Sequence, residues 1–239
     1  MKVVIPMCGN SQRFFDAGYL LPKPLLDIQG FPMFLQVTRN IKIATSLVYV
    51  IRRDHEEQFG LRKEILSWQP GAKVIILPGP TEGAACTVLE AIGNSDDDLL
   101  IANSDQLMVW KPFDFYNKRH LYAGGTVLTF TPKTEEPKHS YALLDENGHV
   151  VRIAEKEKIS NIATVGVYYF RSEKQFRTAA ESMIAADDRT NNEFYLAPTY
   201  NYIEEPIGTY HIDQMLGMGT PSELDELKAS EWWDNIGKF

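Results

Sequence analysis

The chain has 239 residues, enough for one large domain or two small ones, and its 44% hydrophobic and 23% charged content is that of an ordinary globular protein. A net charge of −8, from 24 basic and 32 acidic residues, argues against nonspecific nucleic-acid binding and leaves small anionic ligands open. Two cysteines, Cys8 and Cys86, are too few for a disulfide framework, and no apolar stretch approaches the roughly 18 residues needed to span a bilayer.

The opening segment, MKVVIPM, has too short an apolar run for a signal peptide, and a cytoplasmic location is the expectation. Within it, residues 3–7 read as a buried strand. Residues 6–12 form a turn centred on Gly9, Asn10 and Ser11. Apolar positions Phe34, Val37 and Ile41 predict a helix over 31–43, and LVYVI predicts a strand over 47–51. A helix is expected over 55–68, ended by Pro70 and Gly71, and a third strand over 73–77. TEGAACT opens a helix over 81–92. A fourth strand, 99–102, then runs into Asn-Ser-Asp-Gln. This alternation predicts a parallel sheet with helices on both faces.

The second half reads differently. Strands are expected over 124–130, 140–156 and 163–170, the second folded at Glu146-Asn147-Gly148, because Asn-Gly takes positive φ readily. Residues 176–186 and 193–203 look helical, 208–215 forms a late strand, and a terminal helix spans 221–227 with Thr220 as its N-cap. With no linker or repeat, residues 1–239 read as a single domain. Its two halves, 1–120 and 121–239 with the C-terminal helix, are expected to divide the work into a nucleotide-binding half and an acceptor half, provided that the loop after the first strand holds phosphates. Trp232 and Trp233 suit a cover over the core or over a partner, which leaves homo-oligomerisation open.

Several constellations could carry chemistry. A strand running into a small-residue loop brings free backbone N–H groups close to phosphates. The loop here is neither a P-loop nor a dinucleotide fingerprint, and its glycine content fits an ordinary turn equally well. Arg13 and Lys23 tip the balance, since two cations can neutralise a polyphosphate, and Lys23 is held between Pro22 and Pro24 on a stiff backbone. Asp105 follows the fourth strand at the end where parallel sheets bind ligands, and a single carboxylate there suits Mg²⁺ or a helix cap. Asp96, Asp97 and Asp98 lie at the opposite end and read as a solvated turn. Gly83, Ala84 and Ala85 after Glu82 would let a flat base approach the backbone, or let a helix pack closely on the sheet. Ser140, Tyr141, Glu155 and Lys156 sit at strand ends and are unremarkable alone. The five histidines, at 55, 120, 139, 149 and 211, show no metal spacing.

Taken together and in order, these segments resemble the sugar-phosphate nucleotidyltransferases (NDP-sugar pyrophosphorylases). Within them, the chain is most similar to a bacterial subgroup linked to capsule and surface-polysaccharide genes, often labelled family 2 glycosyltransferase-like. The motifs that carry the likeness are IPMCGNSQRF, AGYLLPKPLL, GAACTVLEA, NSDQ, SYALLDENGHV, AEKEKIS, GVYYF, NNEFYLAPTYN and GTPSEL, which span nearly the whole chain. The resemblance implies an α/β, Rossmann-like nucleotide-diphospho-sugar transferase (GT-A) fold with a mixed, mostly parallel sheet between helices. It implies transfer of NMP from an NTP to a sugar 1-phosphate or another small phosphomonoester, with release of pyrophosphate, in surface-polysaccharide precursor synthesis. Met7, Cys8, Gly9, Asn10, Ser11 and Ser104 would bind the nucleotide, with Arg13 and Lys23 as catalytic cations. Glu82, Gly83 and Ala84 would sit at the base, Asp105 would hold Mg²⁺, and Ser140, Tyr141, Glu155 and Lys156 would face the acceptor.

The resemblance implies neither a nucleic-acid nor a membrane partner. Glu82, where many relatives carry Gln, leaves CTP, UTP and dTTP open, with CTP favoured. An NDP-sugar-dependent glycosyltransferase is the alternative, although such enzymes usually carry Asp-x-Asp where Asn103-Ser104-Asp105 stands. A non-catalytic NTP-binding module is a second alternative, against which Asp105 argues. Two positions depart from the family. Ser11 replaces a loop glycine, and Gly217 stands where larger relatives have a second metal-binding Asp. Asp213 lies four residues upstream, roughly 13 Å along a strand, too far to substitute.

Overall fold

The structure is a computed structural model that describes residues 1–230 and Trp232, so Trp233 lies outside the described residues. The first half contains β1 (Lys2–Met7), α1 (Gln12–Asp16), β2 (Asp27–Ile28), β3 (Phe31–Pro32), α2 (Met33–Ile41), β4 (Ser46–Arg52), α3 (Arg53–Phe59), α4 (Leu61–Trp68), β5 (Lys73–Leu77), α5 (Ala84–Leu89), β6 (Leu99–Ala102), β7 (Gln106–Val109) and α6 (Pro112–Lys118). The second half contains β8 (Thr126–Phe130), β9 (Ser140–Leu144), β10 (Val150–Glu155), β11 (Ala163–Phe170), α7 (Glu173–Ala185), β12 (Gly208–His211), β13 (Gln214–Gly217) and α8 (Pro221–Lys228).

Strands β5, β4, β1 and β6 lie side by side and all run parallel. Beyond β6 the sheet continues into the second half through β11, which is antiparallel to β6, and then through β9 and β10. β8 also pairs with β11, and β12 runs parallel to β8. One nine-stranded sheet therefore crosses both halves. Its central strands are apolar on both faces because both faces are covered: all four residues of β6 and all eight of β11 are buried. Alternation along β1 sends Val3 and Ile5 into one core with Phe34, Leu61 and Phe115, and Val4 into the other with Val88, Phe176 and Tyr200. No helix of the described residues is long and apolar enough to cross a membrane.

Several elements differ from their sequence patterns, each for a local reason. The helix expected over 55–68 is two, because Gly60 takes φ +64° at the junction of α3 and α4. Phe31 and Pro32 pair with β2 in a small hairpin, so α2 begins only at Met33. The expected late strand divides: Gly208–His211 joins the main sheet, whereas Gln214–Gly217 pairs with β7 in a separate two-stranded ribbon. No long helix forms over 193–203, where only a 3₁₀ segment, Ala197–Tyr202, is present. Here the backbone is committed elsewhere, since Phe194 N–H donates to Glu82 O at 2.8 Å and Phe194 O accepts from Ala85 N–H at 3.1 Å. The terminal helix keeps its cap: Thr220 Oγ1 accepts from Glu223 N–H at 3.2 Å.

Candidate active site

The carboxyl ends of β1 and β6 lie side by side, and a cavity of about 630 Å³ opens there. From the nucleotide side, Met7, Gly9, Ser11, Arg13 and Lys23 face it, with Ala84, Ser104 and Asp105. From the acceptor side come Ser140, Glu155 and Lys156. Residues far apart in the chain meet here because β11 lies against β6, which brings Gly166 O within 2.9 Å of Asn103 N, and because β9 and β10 pair Ser140 with Glu155.

The loop after β1 is shaped by Ser11, whose φ of 56° is left-handed. Ser11 O accepts the N–H groups of Phe14 and Phe15 at the start of α1, and its Oγ accepts Lys23 N–H at 2.9 Å. Pro22 and Pro24 flank Lys23 in a short 3₁₀ turn. Lys23 Nζ reaches Asp105 Oδ2 at 2.7 Å, which joins the first motif to the end of the fourth parallel strand.

On the acceptor side, Lys156 also has positive φ, 56°. Its ammonium donates to Tyr195 OH at 2.7 Å and lies 4.8 Å from that ring's centroid. Burial raises the Glu155 carboxyl above its ordinary value, against the lowering effects of the Ser140 hydroxyl that it accepts and of Lys156. Burial also lowers His139, as does neighbouring Lys138, against the raising effect of Glu223.

Five residues expected at the site do not line the cavity. Tyr141 is fully buried and donates to Glu136 O at 3.0 Å, because neighbours on a strand point to opposite faces and Ser140 takes the cavity face. Cys8 donates to Val50 O, and burial pushes its thiol up to about 11. Asn10 accepts from the Arg52 guanidinium. Glu82 is paired with Arg189 at 2.6 Å, whose guanidinium also stacks on Phe194. Gly83 packs against backbone: a Cβ there would lie 2.4 Å from Phe194 O. That close approach by itself requires glycine at this position.

Lys138, Glu193, Tyr195 and Glu223 also face the cavity, although sequence reasoning gave them no role. Three of them lie in or beside the NNEFYLAPTYN and GTPSEL motifs, whose presence was the available signal.

The residues present fit a hard divalent cation. Asp105 Oδ2 and Glu223 Oε2 both approach the bare face of Gly219, where a Cβ would lie 3.1 Å from the first and 3.4 Å from the second. Among the described residues, no group of three or more His, Cys, Asp or Glu side chains converges. One or two carboxylates suit Mg²⁺, which completes its shell with phosphate oxygens and water. A second cavity, of about 640 Å³, lies between α2, β7 and the start of α6, walled by Phe31, Leu107, Met108, Trp110 and Phe113. The groups suited to phosphate chemistry gather in the first.

Comparison with known proteins bears on the family and the fold. Mannose-1-phosphate guanyltransferase of Aspergillus fumigatus is 26% identical over 187 residues, covering 70% of this chain and 49% of that protein. The chain spans about half the length, or less, of the curated relatives it matches. The nucleoside-diphosphate-sugar pyrophosphorylase from Vibrio cholerae RC9 has a TM-score of 0.80 at 22% identity, covering 95% of this chain and 100% of that one. The inositol-1-phosphate CTP transferase from T. maritima gives 0.69 at 13% identity, covering 95% and 93%. At these identities the two structures establish the Rossmann-like fold. A sequence model described as nucleotidyl transferase matches residues 2–237. The chain belongs to the nucleotidyl transferase family.

Proposed function

We propose that the protein transfers NMP from an NTP to a small phosphorylated acceptor and releases pyrophosphate. The observation that carries this reading is that one cavity collects Arg13, Lys23, Lys156 and Asp105 from both halves of the chain. Two anions must meet in this reaction, and three cations lower the cost of bringing them together. The acceptor needs no general base, because a phosphomonoester has a second pKa near 6 and is largely dianionic at pH 7. His139, at the cavity wall, is therefore not required as one. The acceptor oxygen attacks the α-phosphorus, a P–O bond forms, and the bond to the departing pyrophosphate breaks. Arg13 and Lys23 offset charge on the triphosphate and the leaving group, and Lys156 orients the acceptor phosphate. A divalent cation bound at Asp105 would add positive charge beside the phosphate oxygens.

The names of the curated relatives make sugar 1-phosphates the first acceptors to test, followed by phosphoamino acids and phosphocholine-like compounds. The motif resemblance supports a place in surface-polysaccharide precursor synthesis. The experiment is pyrophosphate release over CTP, UTP, dTTP and GTP against this acceptor panel. Release dependent on both an NTP and an acceptor is expected. Hydrolysis or transfer from an NDP-sugar, without pyrophosphate, would replace the reading with a glycosyltransferase. Lys23→Ala should lower kcat by about 100-fold or more with the fold intact, and an unchanged kcat would remove Lys23 from the machinery.

A further inference from the structure

We infer that Glu223, at the start of α8, supplies the second protein carboxylate of the metal site, in the space that a side chain at position 217 would otherwise fill. This rests on the nucleotidyl-transfer reading of the cavity. Gly217 carries no side chain, and a Cβ there would lie 3.0 Å from Glu223 Cδ and 3.1 and 3.3 Å from its two oxygens. Position 217 and the Glu223 carboxylate thus compete for one volume. The same carboxylate faces Asp105 across Gly219, and all four residues line the phosphate cavity. Two carboxylates from elements 118 positions apart, by their residue numbers 105 and 223, therefore converge where two glycines leave the wall bare.

Each carboxylate is now balanced by one lysine: Lys23 on Asp105 at 2.7 Å, and Lys138 on Glu223 at 3.0 Å. Like charges brought close need such compensation. A divalent cation would compensate both together and release both lysines toward phosphate oxygens. Glu223 also has a local role, since Thr220-x-x-Glu223 has the spacing of a capping box. There the glutamate accepts from the N-cap residue's own N–H. Here Oε2 accepts instead from Gly219 N–H at 3.1 Å, the residue whose bare face adjoins Asp105.

Glu223→Gln separates the two roles, because a glutamine amide oxygen can still accept from Gly219 N–H and the side chain is neutral. The probe is Mn²⁺ alone, titrated into the full chain without pyrophosphate, which would itself hold the metal in solution; no knowledge of the base is needed. Free Mn²⁺ is read by electron paramagnetic resonance, alongside thermal midpoints. Wild type is expected to bind Mn²⁺. Glu223→Gln should bind at least about tenfold more weakly, the lower bound even for outer-shell partners, with little change in midpoint. Glu223→Ala should lose the same affinity, and adding Gly217→Asp to it should restore binding, since the volume is then free. Glu223→Gln with wild-type affinity, beside a weakened Asp105→Asn, overturns the assignment and leaves the transferase reading intact. So does a folded double variant that binds no better than Glu223→Ala. A wild-type protein that binds no Mn²⁺ overturns the inference, and one that releases no pyrophosphate from any pairing of NTP and acceptor overturns the transferase reading as well.

Discussion

Ser11, which by resemblance stands in place of a loop glycine, takes the left-handed backbone that favours glycine, with φ 56° and ψ 17°. A residue with a Cβ pays roughly 1–2 kcal/mol to sit there. The serine hydroxyl offsets part of that by accepting Lys23 N–H at 2.9 Å, which ties the loop after β1 to the Pro-Lys-Pro turn. Ser11→Ala keeps the backbone cost and loses the tie. It should lower stability by about 1 kcal/mol in a denaturant titration and reduce turnover as Lys23 loosens. Ser11→Gly should regain the stability but not the turnover. Equal kcat in all three proteins would show that the hydroxyl has no part in placing Lys23. The substitution was visible in the sequence; its left-handed backbone and its bond to residue 23 were not, because both depend on how the turn docks.

At the scale of elements, the run Asp96-Asp97-Asp98 shows how a local reading fails. Asp96 and Asp97 are exposed, as a solvated turn requires. Asp98 instead accepts from Arg119 Nε at 2.9 Å, pairs with His120 Nε2 at 2.9 Å and accepts from Tyr169 OH at 2.8 Å. It joins the start of β6 to the end of α6 and to β11. Partial burial pushes its pKa up, but hydrogen bonds from His120, Tyr169 and Arg119 outweigh that and hold it below the ordinary 3.8. A lowered folded-state pKa contributes stability above the unfolded value that is lost as pH falls through the folded one. Asp98→Asn should therefore cost about 2 kcal/mol at pH 7, measured by thermal unfolding, and the gap to wild type should narrow below pH 3.8. A gap that does not change with pH would mean that the charge itself contributes nothing.

At the scale of the whole molecule, the two halves share one sheet and are also bridged where Phe194 exchanges backbone hydrogen bonds with Glu82 and Ala85. Gly83 makes that approach possible. Its φ is +144°, and a Cβ would sit 2.4 and 2.5 Å from the Phe194 backbone, which cannot yield as a side-chain tip could. Gly83→Ala should destabilise the chain by at least about 2 kcal/mol in a urea titration, whereas Gly9→Ala, with nothing within 4 Å of its Cβ, should not. Comparable midpoints for the two would deny the bridge its structural weight. The sequence by itself determined the alternating strands and helices of the first half, the stiffly held Lys23 and the place of Asp105 at a strand's carboxyl end. These follow from periodicity, proline and strand direction, all of which act over a few residues. Tertiary structure alone decided that Ser140 rather than Tyr141 faces the cavity, that Glu82 pairs with Arg189, and that Glu223 meets Asp105 beside two bare glycines. Strand register and the docking of α8 place those groups, and no local pattern records which distant backbone a side chain will meet.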